Sequence, residues 1–250
     1  MKYYINSNNY MEVFLKDENI RPIVLIAPGG GYQRTSPREA GPIRDSLLKD
    51  GYHVAIIYYR ESLLKKQDTI DELAGFYQLI QSSDLPVMSN KIILMGFSSG
   101  GHYMARLGVT HHLYHGLEKP YAMILAYPVI SGKIGIAHEA SIERLYEEIS
   151  DESRKQFSLE LQVSKNTPPT FLFHTVDDKA VPVENSLVFF EALRNQGVLV
   201  DLHLFHKGVH GISLGTKEVC KEEDDPLTFE RENLHNQNWF KLAMSFVKQI

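Results

Sequence analysis

A serine framed by glycines, Gly96-Phe97-Ser98-Ser99-Gly100, is the strongest chemical signal in the sequence. It follows an apolar run at 92–95 and precedes a predicted helix at 102–107. Between a strand and a helix, the glycines allow a tight backbone turn that lifts the serine hydroxyl above the sheet. The N–H of the next residue then points at a developing oxyanion. This context predicts Ser98 as a nucleophile and Ser99 as an oxyanion donor.

A serine hydroxyl is a weak nucleophile, so it needs a histidine base that is itself oriented by an acid. In strand–serine–helix hydrolases the chain order is serine, acid, histidine. The sequence offers Asp177 or Asp178 after the apolar run at 170–173, and His206 or His210 after the predicted last strand. Spacing alone does not choose within either pair.

A glycine-rich loop, Pro28-Gly29-Gly30-Gly31-Tyr32, follows the apolar run at 23–27. Consecutive glycines expose backbone N–H groups without a side chain in the way, as the second half of an oxyanion hole requires. A loop of this kind can also hold a phosphate. The sequence lacks both the dinucleotide-binding spacing and a Gly-Lys-Ser/Thr, so the oxyanion interpretation is favoured.

The elements that must position these residues are strands and helices in alternation. Continuously apolar runs, which predict strands buried on both faces of a parallel sheet, occur at 23–27, 54–58, 92–95, 122–126 and 170–173. Segments 3–5 and 11–15 predict an antiparallel edge, and 199–205 predicts a last strand. Helices are predicted from the apolar spacings of Ile70, Leu73, Tyr77 and Ile80, capped by Asp68 or Thr69, and of Trp239, Leu242, Ala243, Phe246 and Val247.

This alternation predicts an α/β-hydrolase fold, with a mostly parallel central sheet flanked by helices on both faces. We interpret residues 1–250 as a single domain, which the length of the chain allows. Residues 130–167 interrupt the alternation with a charged helical segment at 143–148 and end before Pro168-Pro169. We interpret them as an insertion and a candidate lid or cap.

Bulk composition excludes several classes of function. With 43% apolar and 23% charged residues, the chain fits an ordinary globular protein. A net charge of −5 without a basic run argues against nucleic-acid binding. The single cysteine, Cys220, and an N-terminus without a secretory apolar stretch predict a cytoplasmic location. No run reaches the length of a membrane helix, so no membrane partner is expected.

We predict no metal-binding or catalytic role for the remaining histidine cluster or for the cysteine. His111, His112 and His115 have metal-like spacing, but no carboxylate pattern supports ligation, and we predict no metal. Cys220 lies in a polar segment without a base-rich neighbourhood, so we do not expect it to be a nucleophile. The sequence leaves the oligomeric state open, a homo-oligomer included.

The motifs together resemble bacterial α/β-hydrolase esterases, and in particular the carbohydrate acetylesterases known as acetyl xylan esterase or endo-1,4-β-xylanase B-like proteins. The segments that carry the resemblance are 28–32, 36–40, 96–100, 177–187 and 209–211. The resemblance covers roughly residues 20–210. Many relatives have histidine before the glycines, where this chain has Pro28.

The resemblance implies roles for individual residues. The acid of the family falls three residues before a Val-Pro pair, which selects Asp178, and its base lies in a Gly-x-His-Gly setting, which selects His210. It also implies Gly30 and Gly31 as oxyanion donors beside Ser99, and no cofactor. The implied substrate is a small-molecule ester with a short acyl group, acetyl in particular, on a sugar or oligosaccharide. The alternatives are an amide hydrolase on the same triad (a formamidase or a prolyl-oligopeptidase-like peptidase) and a catalytically inactive binding module.

Overall fold

In the computed structural model, which describes residues 1–60 and 64–250, the strands of the described chain form one eight-stranded sheet. The strands are β1 (Lys2–Tyr4), β2 (Tyr10–Phe14), β3 (Arg21–Ala27), β4 (His53–Tyr58), β5 (Val87–Phe97), β6 (Ala122–Ala126), β7 (Thr170–Thr175) and β8 (Val200–Phe205). Their order across the sheet is β1-β2-β4-β3-β5-β6-β7-β8. The pairs β1–β2 and β2–β4 are antiparallel, and all other pairs are parallel.

Helices cover both faces of this sheet. They are α1 (Gly41–Lys49), α2 (Lys66–Gln81), α3 (Ser99–Thr110), α4 (Glu139–Leu145), α5 (Asp151–Phe157), α6 (Glu184–Asn195), α7 (Pro226–Asn233) and α8 (Asn238–Gln249). Apolar side chains of α2, α3 and α6 pack in one core cluster, and those of α1 and α8 pack in the other. The predicted fold class is confirmed.

Alternation along β3 shows why its apolar run is continuous. Ile23 and Leu25 face the cluster that contains α2 and α3, whereas Val24 and Ile26 face the cluster that contains α1 and α8. All four side chains are fully buried. Because both faces of the strand are covered, neither can be polar.

Two local predictions are wrong in detail. Helix α2 begins at Lys66 with Lys65 as its N-cap, so Asp68 and Thr69 lie inside its first turn rather than before it. The Thr69 hydroxyl donates to the Lys65 carbonyl at 2.9 Å, which satisfies it within the helix. Leu242 of the predicted α8 stripe is 36% exposed, whereas Trp239 and Ala243 are fully buried.

The insertion at 130–167 contains α4, α5 and a 3₁₀ turn at Leu159–Leu161. Its apolar anchors Ile142, Leu145, Phe157 and Leu159 join the core cluster that contains α2 and α3. The Ser150 hydroxyl accepts from the Ser153 N–H and starts α5. The insertion is thus packed on the body of the protein, and its role as a lid stays a prediction.

The parallel strands all present their carboxyl ends at one edge of the sheet. Residues 28–32 follow β3, Ser98 follows β5, Asp178 lies beyond β7 and His210 lies beyond β8. This edge is where open α/β sheets place their functional groups. None of the helices in the described residues is long and apolar enough to cross a bilayer.

Candidate active site

Ser98 occupies a strained turn between β5 and α3. Its backbone has φ +53° and ψ −120°, a conformation that residues other than glycine rarely adopt. A Cβ at Gly96 would collide with the carbonyl oxygen of Gly100, and one at Gly100 would collide with that of Ala27. The two glycines are therefore needed for the close approach that holds the turn.

The structure brings Ser98, His210 and Asp178 together in one hydrogen-bonded chain. His210 Nε2 lies 2.8 Å from Ser98 Oγ, and His210 Nδ1 lies 2.6 Å from Asp178 Oδ2. Since an ionised carboxylate only accepts, Nδ1 carries the proton and Nε2 accepts from the serine hydroxyl. This is the tautomer that a general base requires.

The two alternatives that spacing left open lie elsewhere. His206 is exposed, and its ring stacks on His235 with centroids 4.8 Å apart. Asp177 is also exposed, and its Oδ1 accepts from the Gly208 N–H at 2.7 Å. Asp177 thus holds the loop that carries His210 without touching the imidazole.

Several donors hold the Asp178 carboxylate. Its Oδ1 accepts from the Ala180 and Val181 N–H groups at 2.9 and 3.0 Å. Burial by itself would raise the pKa of Asp178, but hydrogen bonds from His174 and His210, with the charge of His210, hold that pKa well below its usual value. Asp178 therefore stays ionised and can orient and stabilise a charged His210.

His174 is the second histidine next to the Asp178 carboxylate. Its ring is fully buried, its Nδ1 lies 2.7 Å from Ser186 Oγ, and its Nε2 lies 3.0 Å from the Val181 carbonyl and 3.4 Å from Asp178 Oδ2. Because the carbonyl can only accept, Nε2 carries the proton and the Ser186 hydroxyl donates to Nδ1.

The glycine-rich loop after β3 approaches Ser98, since a Cβ built on Gly29 would lie 3.0 Å from the Ser98 Cβ atom. The Gly29 N–H donates to Glu39 Oε2 at 2.7 Å, and the Tyr32 N–H donates to Ser99 Oγ at 3.3 Å. The three predicted oxyanion donors have no acceptor in the described part of the chain: Gly30, Gly31 and Ser99. Ser99 opens α3, so the positive end of the helix adds to the field at this point.

Comparison with known protein families identifies the family to which the chain belongs. A family model described as the prolyl oligopeptidase family matches residues 57–237, which is most of the chain. The chain belongs to the prolyl oligopeptidase family. The chain is also 31% identical over 219 residues to endo-1,4-beta-xylanase B of Butyrivibrio fibrisolvens, a match that covers 81% of the chain and 34% of that protein.

A second relative is an acetylxylan esterase of Xylanibacter ruminicola. It is 28% identical over 214 residues, which are 82% of the chain and 44% of that protein. The chain thus spans less than half the length of the curated relatives it matches. The resemblance to acetyl xylan esterase and xylanase B-like proteins is confirmed.

Solved structures superpose on the chain over 95–100% of its length. A carboxylesterase from Lactobacillus plantarum superposes with a TM-score of 0.86 at 25% identity, covering 100% of this chain and 96% of that one. An acetyl ester-xyloside bifunctional hydrolase from Caldicellulosiruptor lactoaceticus superposes with a TM-score of 0.78 at 31% identity, covering 95% and 89%.

Glu39 is a site residue to which the sequence analysis gave no role. It is the last residue of the Pro37–Glu39 turn, is 3% exposed, and accepts from the Gly29 N–H with one oxygen. Its other oxygen accepts from the Tyr127 hydroxyl at 2.8 Å. The Tyr127 ring packs edge-on against His210, with centroids 5.2 Å apart. Glu39 therefore links the glycine-rich loop to the ring that supports the base.

We expect Glu39→Gln to lower kcat for an ester substrate by about 10- to 100-fold, because small displacements of catalytic groups have effects of this size. Both partners of Glu39 are donors, so one of them would face the new amide NH₂ and lose its acceptor. The measurement is steady-state kinetics, with Glu218→Gln, an exposed acid, as the control. An unchanged kcat in a folded Glu39→Gln protein would show that the loop does not depend on this carboxylate.

A second buried network connects the glycine-rich loop to the insertion. The Tyr32 hydroxyl lies 2.9 Å from His102 Nδ1, and His102 Nε2 lies 3.0 Å from the Phe157 carbonyl. The proton of His102 is therefore on Nε2, and Tyr32 donates to Nδ1. Burial, helped by the charge of Arg106, lowers the pKa of His102 to about 3.

The buried His102 makes the free energy of unfolding fall as the pH becomes acidic. Its pKa is lowered from 6.5 to about 3, so at intermediate pH the unfolded chain binds a proton that the folded chain does not. Its contribution is fully present above pH 6.5 and is lost as the pH falls toward 3, by up to about 1.4 kcal/mol per pH unit. We expect His102→Gln to flatten the fall of the unfolding free energy between pH 6 and 4, measured by urea denaturation.

The slope of the unfolding free energy against pH is the informative quantity. The absolute stability is less informative, because the substitution also disturbs a buried contact. His115→Gln, at an exposed histidine, is the matched control and should keep the parent slope. Equal slopes in His102→Gln and the parent protein would mean that other groups cause the acid sensitivity.

His138 is the residue of the insertion that lies next to the glycine-rich loop. A Cβ built on Gly31 would lie 3.8 Å from its Cε1 atom, and its Nδ1 lies 2.8 Å from Ser141 Oγ. Burial and the charge of nearby His210 lower the pKa of His138, so its ring is held neutral. The sequence gives no signal for a role of His138, which stands alone in a segment without a motif.

The other sequence candidates lie outside this site. His111 is buried at the end of α3, where its Nδ1 lies 3.0 Å from the Gly108 carbonyl. The described residues contain no group of three or more side chains arranged to hold a metal ion. Cys220 is a partly exposed free thiol.

Proposed function

We propose that the protein is a serine carboxylesterase that hydrolyses short-chain acyl esters, acetyl esters in particular, of sugars or oligosaccharides. The observation that carries this proposal is the unbroken hydrogen-bonded chain Ser98–His210–Asp178 beside N–H groups that lack acceptors. A serine activated in this way attacks carbonyl carbon, and the nearby N–H groups can stabilise the oxyanion that forms.

The reaction proceeds in two acyl-transfer steps. His210 takes the Ser98 proton as Oγ attacks the ester carbonyl, and the intermediate collapses when His210 returns that proton to the leaving alcohol. His210 then takes a proton from water as the water attacks the acyl-enzyme, and returns that proton to Ser98 Oγ as the acid leaves. Asp178 stabilises the imidazolium in both steps. The proposed oxyanion donors are Gly30, Gly31 and Ser99.

The names of the relatives support the substrate class. One is an acetylxylan esterase, and one structural neighbour hydrolyses acetyl esters and xylosides according to its name. His138, which the insertion places beside Gly31 and close enough to His210 to feel its charge, supplies a neutral polar side chain at the site. Such a group suits a hydroxylated leaving group better than a long alkyl chain.

We expect p-nitrophenyl acetate to be cleaved with a kcat/KM at least about tenfold higher than p-nitrophenyl octanoate, since each misfitted methylene costs binding energy in the transition state. Acetate release from acetylated xylo-oligosaccharides, followed enzymatically, tests the sugar portion. A preference for C8 or longer acyl groups would contradict the short-chain assignment.

Amide hydrolysis is the second candidate. The match to the prolyl oligopeptidase family favours it, as does 22% identity to an acylamino-acid-releasing enzyme of rice over 92% of the chain. Formylated amines and dipeptide amides, assayed beside the acetylated sugar, separate the two activities. A fluorophosphonate probe that labels Ser98 would exclude an inactive binding module, because only an activated serine reacts.

A further inference from the structure

A cavity of about 490 Å³ lies between α2, α3 and the α5 part of the insertion. Arg106, on its wall, follows Ser98 by eight residues along α3, which corresponds to about 12 Å along the helix axis. The side chains of the Ser98–His210–Asp178 chain do not line this cavity. It is therefore distinct from the candidate active site.

The most unusual residue on its wall is Arg106. The residue is only 8% exposed, and its Nη1 atom is buried without a hydrogen-bond acceptor among the described residues. It also forms no ion pair with any carboxylate in the described part of the chain. Because a buried charge is costly unless it is paired, this guanidinium lacks the anion that its environment calls for.

The surrounding side chains add positive charge. Lys66 and Lys155 also line the cavity, and Lys66 Nζ donates to Gln156 Oε1. The carboxylate on the wall, Glu152, accepts from Gln156 Nε2 at 2.7 Å. Three cations therefore face one acid that is already hydrogen-bonded to an amide.

The polar and aromatic groups of the wall define the rest of the ligand. The amide NH₂ groups of Gln67 and Gln162 donate within the protein, but their side-chain oxygens accept no hydrogen bond among the described residues and can accept from hydroxyl groups. The Tyr146 ring, with Lys66 Nζ 5.6 Å from its centroid, adds an aromatic surface to the wall. The volume lies in the range of small-molecule sites, and a monosaccharide with a charged substituent fits within it.

We propose that this cavity binds an anionic sugar, whose phosphate or carboxylate group pairs with Arg106 and is assisted by Lys66 and Lys155. Arginine binds both kinds of oxyanion through paired N–H groups. The hydroxyl groups of the sugar are bound by the amide side chains. This inference does not depend on the proposed esterase activity.

The test is isothermal titration calorimetry on the full chain carrying Ser98→Ala, so that hydrolysis does not interfere. The probes are glucose 6-phosphate, glucuronate, glucose and inorganic phosphate. We expect at least one of the two anionic sugars to bind, with glucose and inorganic phosphate at least about tenfold weaker. Binding of glucose 6-phosphate alone or of glucuronate alone supports the proposal and identifies the anion.

Variants locate the site. Arg106→Met and the double variant Lys66→Gln/Lys155→Gln should each weaken binding by about tenfold or more, the usual effect of losing a hydrogen bond to a charged group. Lys165→Gln, at an exposed lysine outside the cavity, removes one positive charge as Arg106→Met does and is the control for loss of charge away from the site. The lysine variants keep the test decisive should Arg106→Met fail to fold.

Three results would overturn the proposal: neither anionic sugar binding at millimolar concentration, inorganic phosphate binding as tightly as the anionic sugars, or equal losses in the lysine double variant and in Lys165→Gln. Loss of fluorophosphonate labelling at Ser98 would defeat the esterase proposal and leave this one intact.

Discussion

Replacement of Ser98 by alanine is expected to lower kcat/KM for p-nitrophenyl acetate by about 10⁵- to 10⁶-fold, the range found when a triad nucleophile is removed. His210 Nε2 would then have no hydroxyl to deprotonate, and no acyl-enzyme could form. The residual rate would come from the oxyanion donors and binding alone. Steady-state kinetics and fluorophosphonate labelling, followed by mass spectrometry, measure both effects.

The substitution should leave the fold intact, because alanine removes one oxygen atom. Ser82→Ala, at an exposed serine in the cap of α2, is the matched control and should keep full activity and labelling. Hydrolysis within tenfold of the parent rate in a purified Ser98→Ala protein would mean that another group is the nucleophile.

The position of Ser98 could be predicted because its signal is local. An apolar run, a Gly-x-Ser-x-Gly turn and a helix are contiguous in the chain, and strand β5 and helix α3 occur where this context requires them. The parallel sheet could be predicted for a similar reason, since the buried stretches 23–27, 92–97 and 122–126 carry no polar side chain.

The choice between neighbouring candidates could not be derived from spacing. Asp177 and Asp178 follow the same strand, and only the turn after β7 decides which carboxylate is buried. There the N–H groups of Ala180 and Val181 point at Oδ1 of Asp178, while Asp177 turns outward to Gly208. The distance from the strand does not encode that direction, and Asp178 is selected only by the family resemblance, through the Val-Pro pair that follows it.

Residues that act through tertiary contacts were not predictable at all. Glu39 meets Tyr127 across 88 positions of the chain, and His138 reaches Gly31 from the insertion. Glu39 lies in segment 36–40, which carries part of the family resemblance but indicates no role for the acid, and His138 lies in a segment without a motif. A buried acid can be recognised only when the two donors that surround it are known.

Asp178→Asn is expected to lower kcat by about 10⁴-fold, as the equivalent change does in serine hydrolases, with little change in the fold. The amide oxygen would stay at the Oδ1 position, because the N–H groups of Ala180 and Val181 both donate there. The NH₂ group would then face His210 Nδ1 and force it to accept a hydrogen bond. The imidazole proton would move to Nε2, which could no longer deprotonate Ser98.

Asp177→Asn is a closely matched control, since it makes the same chemical change one residue away. Its Oδ1 accepts from the Gly208 N–H, a role that an amide oxygen keeps, so kcat should stay within about threefold of the parent value. The pair of variants thus separates loss of the correct tautomer from loss of a charge near the site. Equal losses in both variants, or the larger loss in Asp177→Asn, would move the orienting role away from Asp178 and break the chain on which the esterase proposal rests.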